Sequence, residues 1–209
     1  MPHDVRQAFS KLPVHVTLKF RDDLNGLRHR AESEIVRKAL RETLEKFRAD
    51  VRWIHYSIQW THVHVIGEAT NEAALTAALQ SLTIRIAKAL NRLWGKKGPV
   101  YADRYHVHVL EWPHEVRQAL RYVLCNARHH RVLMPDGPDL LSSGMSFREW
   151  TDFTPTTNER DPCIEEAGHW LLYEGWFKHW PRFATSDINK MRSATNSSGR
   201  VLTLVTECD

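Results

Sequence analysis

Val51-Arg52-Trp53-Ile54-His55-Tyr56-Ser57-Ile58-Gln59-Trp60-Thr61-His62-Val63-His64-Val65-Ile66-Gly67-Glu68 is the stretch on which the fold turns. In its first half Ile54, Tyr56 and Ile58 alternate and fall on one side of a strand over Val51 to Gln59. In its second half Val63 and Val65 alternate with His62 and His64 along a strand over His62 to Glu68. Only Trp60-Thr61 intervenes, which predicts a tight hairpin.

Working outward, Ile35, Val36, Ala39, Leu40, Leu44 and Phe47 recur at helical spacing from about Ala31 to Arg48. Before that helix, Leu12 to Phe20 is rich in β-branched residues and ends in the turn-like Asp22-Asp23-Leu24-Asn25-Gly26, predicting a first strand. After the hairpin, Asn71 is a candidate N-cap and Gly95 a stop for a long helix. Leu75, Leu79, Leu82, Ile86, Leu90 and Leu93 form its apolar stripe, while Arg85, Lys88 and Arg92 load another side. Lys96-Lys97-Gly98-Pro99 reads as a basic loop and Arg104 to Leu110 as a fourth strand. Pro113 suits the first residue of a helix running to about Arg131. The order β-α-β-β-α-β, followed by a further helix, predicts an α+β protein: a ferredoxin-like antiparallel sheet with helices on one face, plus a C-terminal extension.

Composition limits what such a chain does. Residues 1–135 carry 22 Lys+Arg against 13 Asp+Glu, a net of +9, and residues 136–209 carry 7 against 12, a net of −5. A basic body suits a polyanion, because each neutralised phosphate releases condensed counterions. No apolar run is long enough for a membrane span, and the N-terminus has no apolar signal-like region. Three scattered cysteines, Cys125, Cys163 and Cys208, fit reduced thiols and a cytoplasmic, nucleoid-associated protein. The texture changes after Pro135. The expected divisions are a core domain over 1–135, an aromatic-rich extension over 136–185 packing on it, and a flexible tail over 186–209. A short helix is expected over Glu165 to His179.

Two motifs carry chemistry. His62 and His64 point to one side of their strand with Cα atoms roughly 6.5–7 Å apart, close enough to converge on one ion. Thirteen histidines make such pairs by chance, and His106-Val107-His108 is a second one. Satisfied strand histidines are therefore the plain alternative. Tyr122 and Asn126 are one helical turn apart, on the flank of the stripe Val116, Leu120, Val123 and Ala127. A phenol with a pKa near ~10 is a poor nucleophile at neutral pH, and a divalent cation on a phosphate would make it a competent one. Asn126 could add an oxygen to the two imidazoles, a mixed set that suits Mg²⁺ or Mn²⁺.

The strand with His-Val-His, the long basic helix, the Gly98-Pro99-Val100-Tyr101-Ala102-Asp103-Arg104-Tyr105-His106 segment and the helix with Tyr122-x-x-x-Asn126 together resemble the single-tyrosine HUH transposases, the REP-associated type most of all. The resemblance covers about residues 12–133, and Trp170-Leu171-Leu172 to Trp176 is similar to C-terminal extensions of some members. It implies that His62 and His64 bind metal, that Asn126 completes the site where others carry Gln, and that Tyr122 attacks single-stranded DNA. A 5′-phosphotyrosine link and a 3′-OH would result, beside a recognised hairpin, in a monomer or homodimer. Relatives usually carry Asn directly before the first motif histidine, where this chain has Thr61.

Arg85, Lys88, Arg92, Lys96, Lys97 and Arg104 are candidate DNA backbone contacts, and Tyr101 and Tyr105 candidate stacking residues. Two other readings compete. His15-Val16-Thr17 matches half of the paired motif of two-histidine phosphoesterases, but the second half is missing. A catalytically inactive relative that only binds nucleic-acid hairpins would not need Tyr122, Asn126 and both histidines together.

Overall fold

The computed structural model describes residues 11–129, 137–155 and 161–185. The expected tail over 186–209 lies outside them. Four strands, β1 (Val14–Lys19), β2 (Val51–Ile58), β3 (His62–Ala69) and β4 (His106–Val109), form one sheet in the order β2-β3-β1-β4. Every neighbouring pair is antiparallel. The helices are α1 (Arg30–Lys46), α2 (Glu72–Leu93) and α3 (Pro113–His129). Sequence and structure agree on this order.

Asn71 caps α2 by accepting the Ala74 N–H at 2.9 Å, and Gly95 turns the chain away with φ of +61°, a left-handed conformation that glycine adopts without a Cβ clash. α1 and α2 cover one face of the sheet. There Val14, Val16 and Leu18 of β1, Trp53, Tyr56 and Ile58 of β2, and Val63 and Val65 of β3 meet the apolar sides of both helices. Leu93, the last member of the α2 stripe, is exposed at the helix end.

One residue departs from simple alternation. The β2–β3 register shifts between Trp53 and His55, so a bulge inserts Ile54. An extra residue in one strand reverses the facing of everything before it. Ile54 therefore leaves Tyr56 and Ile58 and joins the opposite face, where it packs with Ile66.

That second face is covered by α3 and the extension. Val116, Leu120, Val123 and Leu124 of α3 pack there with Phe147, Trp150, Leu171, Leu172, Trp176 and Phe183. The extension is tied on by buried polar contacts. Arg28 donates two hydrogen bonds to the Asp139 carboxylate, each 2.8 Å, and a third to the Ile58 carbonyl. The Tyr56 hydroxyl donates to Asp161 at 2.7 Å, and His55 Nδ1 lies 3.0 Å from Ser143 Oγ.

The helix expected over Glu165 to His179 shrinks to a single wide turn, Leu171–Gly175. Competing backbone bonds explain this. The Glu165 N–H donates to the Trp53 carbonyl, and the Gly168 and His169 N–H groups donate to the Glu68 carboxylate, so the chain is held extended up to Trp170.

Candidate active site

The α3 face of the sheet is lined with histidines because of strand alternation. Val14, Val16, Val63, Val65, Val107 and Val109 face α1 and α2, so His15, His62, His64, His106 and His108 face the other way. The registers place Ser57, His64, Thr17 and His106 in one row across the four strands, and Ile66, His15 and His108 in the next.

His62 and His64 are brought together as the alternation predicts. Their rings are nearly parallel, 5° apart in plane, with centroids 6.0 Å apart. Each has a hydroxyl at Nδ1: Thr61 Oγ1 lies 2.9 Å from His62 and Thr17 Oγ1 lies 3.2 Å from His64. With Nδ1–H donating to the hydroxyl, Nε2 carries the lone pair a metal ion needs. Thr61, the residue directly before His62, is one of these two partners. Thr17 is the other, and the sequence reading missed it because its link to His64 depends on cross-strand register.

Tyr122 reaches the same place from α3. Its half-buried ring stands edge-on to His64, with centroids 5.0 Å apart and planes at 85°, and lies 5.9 Å from the ring of His15. Asn126 follows one turn later in α3, but its side chain lies outside the described residues. Among the described residues no group of three or more His, Cys, Asp or Glu side chains could hold a metal ion. What His62 and His64 could offer a cation is two imidazoles, which suit borderline divalent ions and leave positions open for oxygen ligands.

His15 has a different character. Burial, reinforced by His108 and then His106, pushes its imidazole down to about 4. Its Nε2 is buried with no hydrogen-bond partner. In the sequence, His15 and Thr17 stand out only as half of a phosphoesterase motif. In space both lie against His64.

The basic candidates separate into groups. Lys88, Arg92, Lys96 and Lys97 line one open hollow with Asn91, Gly95 and Gly98. The Asn91 amide donates to the Gly98 carbonyl and holds that loop. Arg85 instead pairs with Glu42 of α1. Arg104 is exposed beside Asp103, whose carboxylate accepts its backbone N–H. Tyr101 cannot offer a face to a base: its ring packs on Phe20 at 4.7 Å and its hydroxyl donates to the Thr83 carbonyl. Tyr105 is half-buried against the first core.

No family model and no curated protein matches the chain. Among solved structures it is similar to a REP-associated tyrosine transposase bound to a REP hairpin, at 14% identity and a TM-score of 0.52 over 64% of this chain and 76% of that one. It is also similar to a transposase candidate from Deinococcus radiodurans R1, at 15% identity and a TM-score of 0.42 over 58% of this chain and 95% of that one. The four-stranded antiparallel sheet and its packed helices are therefore the fold of a REP-associated tyrosine transposase.

Proposed function

We propose that the chain nicks and joins single-stranded DNA beside hairpins, as a metal-dependent single-tyrosine HUH transposase with Tyr122 as nucleophile. The observation that carries this reading is the edge-on approach of Tyr122 to His64, 5.0 Å between ring centroids, on the histidine-lined face. His62 and His64 would hold Mg²⁺ or Mn²⁺, with Asn126 as a further candidate ligand. Bound there, a divalent ion supplies charge withdrawal from the scissile phosphate. The Tyr122 oxygen forms a bond to phosphorus as the bond to the 3′ oxygen breaks. The products are a 5′-phosphotyrosine and a 3′-OH strand end, which takes up a proton. Attack of a 3′-OH on the phosphotyrosine reverses the step and joins strands. α3 holds the phenol in place, so no loop must fold to bring it in.

The hollow lined by Lys88, Arg92, Lys96 and Lys97 supports a phosphate-rich partner, and the similar transposase is bound to a REP hairpin. A second reading is a hairpin-binding protein without catalysis. The hollow lined by Lys88, Arg92, Lys96 and Lys97 would serve it equally, since phosphate contacts need no metal.

One gel separates the two. Labelled hairpin-bearing single-stranded DNA is incubated with protein and Mn²⁺ or EDTA, then run under denaturing conditions. A metal-dependent shifted band that disappears in Tyr122→Phe, with hairpin affinity unchanged, is the expected result. Tight hairpin binding with no adduct would leave the binding protein, and an adduct surviving in Tyr122→Phe would move the nucleophile elsewhere.

A further inference from the structure

Trp60 is the middle one of the three residues, Gln59-Trp60-Thr61, that join β2 to β3, and it stands two residues before His62. It is 46% exposed; Trp112, Trp170 and Trp180 are exposed too, but Trp60 stands beside the histidine pair. Its setting is nevertheless built. The turn is closed by the Gln59 N–H donating to the His62 carbonyl at 2.8 Å. The Leu27 N–H donates to the Trp60 carbonyl at 2.9 Å, and the Phe20 N–H to the Thr61 carbonyl at 2.8 Å. The indole lies over Gly26, where a Cβ would come within 2.2 Å of Cε3, so only glycine leaves it room. The His29 ring meets it edge-on at 5.3 Å. An indole held by Gly26 and His29, and 46% exposed, is an oriented apolar plate that the core does not use.

The surroundings narrow what covers it. Lys19 pairs with His62 in register. The segment after the basic loop runs beside the end of β1, with the Arg21 N–H donating to the Val100 carbonyl and the Ala102 N–H to the Lys19 carbonyl. Lys19 and Arg21, the latter bridged to Asp23 at 2.8 Å, therefore stand at the end of the sheet that carries Trp60. A flat aromatic among cations fits an unpaired nucleobase on a phosphate backbone, because every base has a π-face and the backbone is anionic.

We infer that Trp60 stacks one unpaired base of the DNA strand, next to the phosphate held at His62 and His64. The inference rests on the proposed function and adds to it. At most about 7 Å separates the Trp60 and His62 Cα atoms. Because the indole leans on His29 at the start of α1, the stacked base belongs to a nucleotide beside the scissile phosphate that turns round the end of the sheet. Stacking there sets the position of the strand in the site by a contact that tolerates any base.

The test uses the full chain in a Tyr122→Phe background, so that the strand stays intact. Its probe is a fluorescent hairpin oligonucleotide with a single-stranded flank, in which one nucleotide at a time is made abasic. Affinity is read by fluorescence anisotropy. One abasic position should weaken binding roughly tenfold while its neighbours do little. Trp60→Phe, which keeps a ring, should retain that pattern. Trp60→Leu, which keeps apolar bulk without a π-face, should weaken binding of the intact strand by the same factor and show no sensitive position. A sensitive position that persists unchanged in Trp60→Leu overturns the inference. So does a flat abasic series in the parent with hairpin binding intact, which leaves the proposed function standing. Loss of all DNA binding in the parent would overturn both.

Discussion

The Nδ1 atoms of His62 and His64 each lie beside a hydroxyl, Thr61 for one and Thr17 for the other, and that contact holds the ring's orientation. Removing either hydroxyl leaves the imidazole in place but releases its rotation. Thr17→Val and Thr61→Val are each expected to weaken Mn²⁺ binding by about 10- to 100-fold with the fold intact. Isothermal titration with Mn²⁺, alongside circular dichroism, measures this; unchanged affinity would mean that these hydroxyls do not orient the rings. His62, His64 and Tyr122 were legible in the sequence because a period of two and one turn of helix are local patterns. Thr17 was not, since only the pairing of β1 with β3 brings it to His64, 47 residues away. Tyr101 was misleading for a related reason: its hydroxyl bond to Thr83 is a tertiary contact that composition cannot reveal.

Strand β2 joins the two sides of the protein through its bulge. Without the extra residue at Ile54, the facing read from the sequence, with Ile54, Tyr56 and Ile58 together, would hold. With it, one strand supplies Trp53 and Tyr56 to the first core and Ile54 to the second, and His55 is sealed under the extension. Burial holds His55 near 4, against about 6.5 in the unfolded chain. The folded state thus keeps the ring neutral while the unfolded state takes up a proton as pH falls below about 6.5. The stability this neutral ring contributes is complete above that pH and disappears on the way down to about 4, an effect on the order of 3 kcal/mol. Buried His15, also near 4, acts in the same direction. Urea midpoints at pH 7.5 and pH 5 should therefore differ markedly, and His55→Gln should lessen the difference. An equal fall in both proteins would show that His55 is not the acid-sensitive group. The extension itself was only partly readable: its aromatics signalled a docked segment, but the backbone bonds to Glu68 and Trp53 that shorten its helix are long-range.

At the scale of the molecule, the sheet is a wall between two cores, and the candidate chemistry lies on the side that the extension helps to close. The Arg28–Asp139 pair is a buried polar tie between body and extension, with both side chains under a tenth exposed. Asp139→Ala leaves a buried guanidinium with only the Ile58 carbonyl and should cost about 3–5 kcal/mol in urea unfolding. Arg28→Met with Asp139→Leu removes both charges and should recover part of that loss; no recovery would mean that the hydrogen bond to Ile58 matters more than the charge. These ties join residues more than a hundred positions apart: Arg28 with Asp139, Tyr56 with Asp161, Glu68 with His169. During synthesis the strands with His62 and His64 emerge from the ribosome long before the segment that covers their side of the sheet. The nascent protein carries an uncovered apolar face and an uncompensated Arg28 until residues 139–183 have followed, a long window for misassembly. A sheet face completed only by residues 139–183 is also one that a chain still lacking them does not possess.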